Sequence, residues 1–163
     1  MRYFFVDASA LVKRYHQETG TAVMDVLLDS LLAASPKRVV VSLLGLAEVV
    51  AVLQRKQNEG RLTQALANQA AARLLAEMRL ADLQSIDDAD IWASLTLITA
   101  HSLNASDALY LRQALQLRDL LRLLKHDLVL VTADHRFLHA AQAEGLRTIN
   151  PETASPADVT ALL

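Results

Sequence analysis

The chain has 163 residues, enough for one domain with a sizeable core, and 53% of them are hydrophobic against 21% charged, which excludes a disordered protein. It contains no cysteine, which excludes disulfides, thiolate metal sites and a cysteine nucleophile and agrees with a cytoplasmic location. The formal net charge of −2 excludes the strong basic excess of proteins that coat nucleic acid non-specifically.

The apolar runs of the chain are short. Asp7 interrupts the first of them, so no signal peptide is predicted. No uninterrupted apolar stretch approaches the roughly 20 residues of a membrane-spanning helix, so no membrane association is predicted.

Short β-branched or aromatic runs alternate with stretches of helical periodicity. The predicted strands are residues 3–6, 38–41, 83–86, 128–131 and 147–149. The predicted helices run from 7 to about 16, 22–34, from an N-cap at 42 to near 60, 63 to about 79, 87–103, 106 to about 124, and 134–144. This alternation predicts an α/β sandwich with a parallel sheet. Residues 1–151 are expected to form a single domain, and the polar tail 152–163 to pack on it or extend from it.

Four acidic residues stand where apolar runs end or are interrupted: Asp7, Glu48, Asp107 and Asp134. In parallel sheets, ligands bind beyond the carboxyl ends of the strands, and Asp7 and Asp134 each follow a predicted strand. If those two strands are parallel neighbours, both carboxylates lie at the same edge. Gathered carboxylates repel one another unless a cation lies between them, so the first hypothesis is a metal site.

Three of these acids also have a purely structural interpretation. Asp7 and Asp134 could each cap the helix that follows, and Asp107 lies in a predicted first helical turn, where a carboxylate favours the helix dipole. Asn104 begins a loose capping box with Asp107. None of the three needs a function to explain it.

Glu48 resists that interpretation. Its neighbours three and four residues away on the predicted helix are Leu44, Gly45, Ala51 and Val52, all apolar or small, and no lysine or arginine lies one turn away. Burying an unpaired carboxylate costs several kcal/mol. Its partner must therefore come from elsewhere in the fold or be an ion.

Other chemistries fit less well. The phosphate-binding glycine motifs and the G-x-S-x-G elbow are absent. His135 and His139 are one helical turn apart, but no third zinc ligand follows in a recognised pattern, which favours surface histidines. An aspartyl-phosphate enzyme would need a second aspartate two residues after Asp7, where this chain has Ser9.

Carboxylates suit hard cations such as Mg²⁺ or Mn²⁺, which assist phosphodiester hydrolysis. The basic residues favoured for holding the substrate backbone lie on the predicted helices that carry Asp7 or Glu48: Lys13, Arg14 and Arg55. The alternative for each is a solvated helix face.

Five segments of the chain match, in order, the motifs of a known protein family. The segments are residues 5–13 (FVDASALVK), 46–55 (LAEVVAVLQR), 104–111 (NASDALYL), 130–138 (LVTADHRFL) and 145–151 (GLRTINP). Over residues 2–151 the chain resembles the PIN domain family, specifically the VapC-type toxins. One departure is the segment 117–127, which is longer than the compact toxin pattern and is interpreted as an added helical turn at a partner surface.

The resemblance implies a three-layer α/β/α fold, metal-dependent ribonuclease activity, often a homodimer, and a small VapB-like antitoxin that occludes the acidic groove, commonly with a basic side chain. It implies that the acidic cluster is Asp7, Glu48, Asp107 and Asp134, with Mg²⁺ (or Mn²⁺) held by Asp7, Asp107 and Asp134 and with Glu48 completing the site or positioning the attacking water. It further implies that the hydroxyls of Ser9 and Thr132 lie near the cluster. Asn104 is a candidate both for lining the site and for capping the helix.

The predicted function is a cytoplasmic endoribonuclease, the toxin of a type II toxin–antitoxin pair. Two alternatives stay open. One is a PIN nuclease that processes RNA or DNA outside any toxin pair. The other is a PIN module that binds RNA or protein without turnover, against which the intact set of acids argues.

Overall fold

The computed structural model describes residues 1–163 and contains one sheet of five parallel strands. The strands are β1 (Arg2–Val6), β2 (Val39–Ser42), β3 (Asp82–Gln84), β4 (Asp127–Val131) and β5 (Arg147–Ile149). Their order across the sheet is β3-β2-β1-β4-β5. The predicted parallel sheet is therefore confirmed.

The helices are α1 (Ala8–Leu11), α2 (Thr21–Leu31), α3 (Leu43–Asn58), α4 (Gln64–Met78), α5 (Asp88–His101), α6 (Ala105–Leu123), α7 (His135–Ala143) and α8 (Pro156–Thr160), with a 3-10 turn at Val12–Arg14. None of them is long and apolar enough to cross a membrane.

Two hydrophobic cores lie on opposite faces of the sheet. Successive strand residues point to opposite faces, so Phe4 belongs to one core and Phe5 to the other. The first core is closed by α1, α2, α3 and α4, and the second by α6 and α7 with α5 packed against it. This is the predicted three-layer α/β/α sandwich. It also explains why β4 is apolar from Leu128 to Val131, since both faces of the strand are buried there.

The pairing of β1 with β4 places the ends of both strands side by side. Val6 is in register with Val131, and the Asp7 amide donates to the Val131 carbonyl oxygen at 3.0 Å. The condition set by the sequence is met, because the strands before Asp7 and Asp134 are parallel neighbours.

Some boundaries differ from the prediction. The first helix is α-helical only to Leu11 and continues as the 3-10 turn to Arg14, not to residue 16. The second helix ends at Leu31 rather than 34, and the third strand is Asp82–Gln84 rather than 83–86. Ser42 takes the predicted N-cap position of α3, but its hydroxyl makes no cap hydrogen bond.

The C-terminal tail contains a helix that the prediction missed. Ser155 and Asp158 form a reciprocal capping box, and Pro156 occupies the first turn of α8. Val159 is fully buried in the core that α2 also lines. The division into a domain of residues 1–151 and a tail of 152–163 stays a prediction.

A buried ion-pair network fixes the turn after α1. Arg14 is only 7% exposed, and its guanidinium donates to Asp25 at 2.8 Å, Asp29 at 2.5 Å and Glu77 at 3.0 Å. Two of these carboxylates are on α2 and the third is on α4. Arg14 therefore ties three elements of the first layer together.

Replacing Arg14 by alanine should destabilise the fold, because Asp25 and Asp29 would lose their cation and Glu77 would keep only Arg73. The expected loss is about 2 kcal/mol in the free energy of unfolding, at the low end for a buried pair since Asp25 and Asp29 stay partly solvated. Urea denaturation measures it. Arg55→Ala, at an exposed position without an ion pair, is the control and should change stability by less than about 0.5 kcal/mol. Equal stabilities of the two variants would contradict this account of the network.

Candidate functional site

All four acids singled out from the sequence line one open cleft of about 320 Å³. The cleft lies beyond the carboxyl ends of β1 and β4, where parallel sheets bind ligands. Its lining residues are Asp7, Ala8, Ser9, Val12, Glu48, Ala51, Val52, Arg55, Asn104, Ser106, Asp107 and Asp134. The acids come from the start of α1, the middle of α3, the first turn of α6 and the residue before α7.

Asp7 is the most buried of the four, at 5% exposure. Its Oδ2 atom accepts hydrogen bonds from the Ser9 amide at 3.2 Å, the Ser9 hydroxyl at 2.5 Å and the Thr132 hydroxyl at 3.0 Å. Burial raises the pKa of Asp7, and these hydrogen bonds oppose that rise. The structural alternative also holds, since Asp7 is the N-cap of α1.

The hydroxyls of Ser9 and Thr132 are fixed in direction by the loop after β4. Ser9 Oγ accepts from the Ala133 amide at 2.9 Å, and Thr132 Oγ1 accepts from the Asp134 amide at 3.1 Å. Both hydroxyls can donate to Asp7 Oδ2, and their two oxygens also lie 3.2 Å apart. The structure thus places Ser9 and Thr132 against Asp7, and Thr132 is fully buried beneath it.

Asp134 combines a cap with a place in the cleft. Its Oδ1 atom accepts from the Phe137 amide at 2.9 Å, which caps α7, while the side chain is exposed. The cap and the site are therefore compatible interpretations of the same residue.

Asp107 is held by Asn104 through two hydrogen bonds. Asn104 Oδ1 accepts from the Asp107 amide at 2.8 Å and so caps α6, and Asn104 Nδ2 donates to Asp107 Oδ2 at 2.8 Å. Ser106, which the sequence interpretation did not consider, lines the cleft and donates its hydroxyl to Asn104 at 3.0 Å. Asn104 therefore has both of the roles weighed from the sequence, as a cap and in the cleft.

The carboxylates of the cleft repel one another, and this repulsion contributes to a raised pKa of Asp107. Burial, and after it the charges of Asp7, Asp134 and Glu48, together raise the pKa of Asp107 from its ordinary value of 3.8 to about 7. The hydrogen bond from Asn104 acts in the opposite direction. The four carboxylates are thus close enough to interact electrostatically.

Glu48 finds its partner in a phenol. The Tyr110 hydroxyl donates to Glu48 Oε2 at 2.5 Å. This hydrogen bond supplies the partner from elsewhere in the fold that the apolar surroundings of Glu48 on α3 predicted. Burial, and then the bond to Glu48, raise the pKa of Tyr110, so its hydroxyl stays protonated. Sequence reasoning missed this pair, although Tyr110 follows Asp107 by three residues and so shares its helix face.

Of the three basic residues expected to hold RNA, the structure brings only Arg55 to the cleft, where it is exposed. Lys13 is 4% exposed and pairs with Glu18 at 3.1 Å and Glu152 at 2.6 Å. Arg14 is enclosed by the three carboxylates described above. For Lys13 and Arg14 the structure therefore corrects the expectation, because their charges are already neutralised within the fold.

A protein-family model described as "PIN domain" matches residues 4–143. The chain belongs to the PIN domain family. No curated protein matches its sequence.

Solved structures with the same fold include three with low sequence identity to this PIN domain. PAE2754 from Pyrobaculum aerophilum is 20% identical with a TM-score of 0.67, covering 98% of this chain and 96% of its own. FitAcB from Neisseria gonorrhoeae is 19% identical with a TM-score of 0.64, covering 93% and 99%. DNA-bound VapBC from Salmonella typhimurium is 13% identical with a TM-score of 0.59, also covering 93% and 99%.

The donor set of the PIN domain cleft fits a hard cation by its chemistry. All candidate ligands are oxygen atoms, and their mutual repulsion would be relieved by positive charge. No group of three or more His, Cys, Asp or Glu side chains is arranged to hold a metal ion as it stands. Mg²⁺ tolerates such an open arrangement, because it retains several waters and uses one or two carboxylates. The same finding leaves His135 and His139 without a third zinc ligand.

The raised pKa of Asp107 has a consequence for stability in metal-free protein. Because the folded pKa lies above the unfolded value, the contribution of Asp107 is full below about pH 4 and is lost as the pH rises through about 7. As the pH rises from about 5 to about 8, the free energy of unfolding should therefore fall less in Asp107→Asn than in the parent. Urea denaturation in the presence of a chelator measures this difference.

Asp88→Asn, at an exposed position on α5, is the control for that titration and should keep the pH dependence of the parent. Equal pH dependence in Asp107→Asn and the parent would show that Asp107 titrates normally, and the electrostatic description of the cleft would then be wrong.

Proposed function

We propose that this PIN domain is a cytoplasmic, divalent-metal-dependent endoribonuclease and the toxin of a type II toxin–antitoxin pair. The observation that carries the proposal is the convergence of Asp7, Glu48, Asp107 and Asp134 in one cleft. Their charges disfavour one another, and a fold that nevertheless gathers them is expected to use them.

Asp7, Asp107 and Asp134 are the residues that would hold Mg²⁺ or Mn²⁺, and Glu48 would complete the set or position the attacking water. The chemistry that such an ion supplies is Lewis acidity, which activates water and offsets negative charge on a phosphodiester. Ser9 and Thr132 orient Asp7 through its Oδ2 atom, and Asn104 orients Asp107. These contacts fix the donor atoms before any ligand enters.

Arg55 is the cation placed to meet the substrate. It lies on α3 at the exposed side of the cleft, seven residues after Glu48, and makes no ion pair within the chain. An RNA backbone bound across the cleft would bring a phosphate to this guanidinium. The position of Arg55 thus supports an RNA substrate.

The solved structures support a protein partner. One solved structure is VapBC from Salmonella typhimurium, and another is a toxin–antitoxin complex from Klebsiella pneumoniae, which has a TM-score of 0.56 to this chain. A small VapB-like antitoxin that inserts a basic side chain would complement the acidic cleft.

We include a homodimer in the proposal, because α5 leaves Ile91, Trp92 and Leu95 exposed and a second copy could cover them.

Asp7→Asn and Asp134→Asn should each lower Mn²⁺-dependent cleavage of total RNA by about 100-fold or more, with mapped 5′ ends and a chelator control as the assay. Asparagine caps a helix as well as aspartate does, so the fold should persist while one ligand charge is lost. The matched control is Asp87→Asn, which replaces the N-cap of α5 outside the cleft and should leave cleavage unchanged.

Undiminished cleavage in Asp7→Asn and Asp134→Asn would contradict the assignment. No cleavage of any RNA with any divalent ion, alongside retained RNA or partner binding, would favour the PIN module without turnover. A short antitoxin-like reading frame directly upstream would separate the toxin from a processing nuclease.

A further inference from the structure

Tyr110 is a buried residue whose hydroxyl contacts Glu48, one of the residues that line the cleft. It is 1% exposed, and its hydroxyl donates to Glu48 Oε2 at 2.5 Å. This is the one side-chain hydrogen bond that the Glu48 carboxylate accepts within the chain. Oε1 accepts none and is therefore available to a ligand in the cleft.

The ring of Tyr110 is held on two sides. It packs against Phe137 with ring centroids 6.4 Å apart, inside the core between the sheet, α6 and α7. On the other side it faces Gly45 of α3, where a Cβ atom would come within 3.6 Å of the hydroxyl oxygen. A phenol fixed in this way presents its hydroxyl at one position.

Glu48 needs such support more than the other acids do. Asp7 and Asp107 have short side chains that are held by neighbouring hydroxyl and amide groups, whereas Glu48 has one more rotatable bond and an apolar helix face around it. Without the phenol, its carboxylate could turn toward solvent. The hydrogen bond also joins α3 to α6, the helices that carry Glu48 and Asp107.

We propose that Tyr110 is a positioning residue that holds the Glu48 carboxylate at the wall of the cleft, so that this carboxylate completes the acidic set formed with Asp7, Asp107 and Asp134. The proposal rests on the proposed function for its catalytic consequence. Its consequence for Mn²⁺ binding can be measured without RNA.

The test is Tyr110→Phe, which removes the hydroxyl and keeps the ring in place. Calorimetric titration with Mn²⁺ should show binding about tenfold weaker than in the parent, the lower range for loss of an orienting partner of a metal ligand. In RNA cleavage, kcat should fall by about the same factor with KM unchanged, because Tyr110 is buried and does not meet the substrate.

A double-mutant cycle separates positioning from a general structural effect. In a Glu48→Ala background, the hydroxyl has nothing to hold, so adding Tyr110→Phe should weaken Mn²⁺ binding no further. The matched control is Tyr15→Phe, which also removes a phenol that donates to a carboxylate, Glu77 at 2.9 Å, outside the cleft. Tyr15→Phe should keep the Mn²⁺ affinity and kcat of the parent.

Parent-like Mn²⁺ affinity and kcat in Tyr110→Phe would overturn the proposal, as would an equal loss of affinity with and without Glu48. If the parent binds Mn²⁺ but cleaves no RNA, the proposed function fails while the titration still decides the role of Tyr110. A parent that neither binds Mn²⁺ nor cleaves RNA overturns both.

Discussion

The repulsion among four carboxylates at one edge of the sheet is the constraint on which the rest of this structure depends. Burial disfavours the ionised forms of Asp7 and Asp107, and the charges of the neighbouring carboxylates further disfavour that of Asp107. Hydrogen bonds from Ser9, Thr132 and Asn104 oppose this cost, and the N-termini of α6 and α7 contribute partial positive charge beside Asp107 and Asp134. These contacts lower the cost without removing it, because burial and like charge still hold the pKa of Asp107 at about 7.

The interactions that stabilise the domain lie apart from the acidic cleft, so they can offset the electrostatic cost of gathering the carboxylates. The charged groups that hold the first layer together lie around Arg14 and Lys13, in networks that do not reach the cleft. The two apolar cores pack both faces of the parallel sheet. A destabilised edge on a well-packed scaffold is the arrangement expected where residues are selected for binding rather than for stability.

Much of this could be inferred from the sequence because it depends on local order. The apolar run of β4 and the short run of β1 fix which residues follow each strand, and parallel pairing then brings Asp7 and Asp134 to one edge. The apolar face around Glu48 correctly indicated a partner from elsewhere in the fold. The motif order indicated the family that the family model later matched.

What the sequence could not provide depends on distant partners. Lys13 and Arg14 follow Asp7 closely, which suggested a substrate role, but the helix tightens into a 3-10 turn and both side chains meet carboxylates from α2, α4 and the tail. The Tyr110 hydroxyl reaches Glu48 across 62 positions of sequence. Helical periodicity shows which face such a side chain occupies, but not which element packs against that face.

The most direct test of the acidic cleft as a cation site is anomalous diffraction from crystals grown with Mn²⁺. The account predicts an anomalous peak in the cleft within coordination distance of carboxylate oxygens of Asp7, Asp107 or Asp134, and its loss in crystals of Asp7→Asn grown in the same way. The absence of an anomalous peak in the cleft at millimolar Mn²⁺, with only water there, would contradict the account. A peak that persists unchanged in Asp7→Asn would contradict it as well.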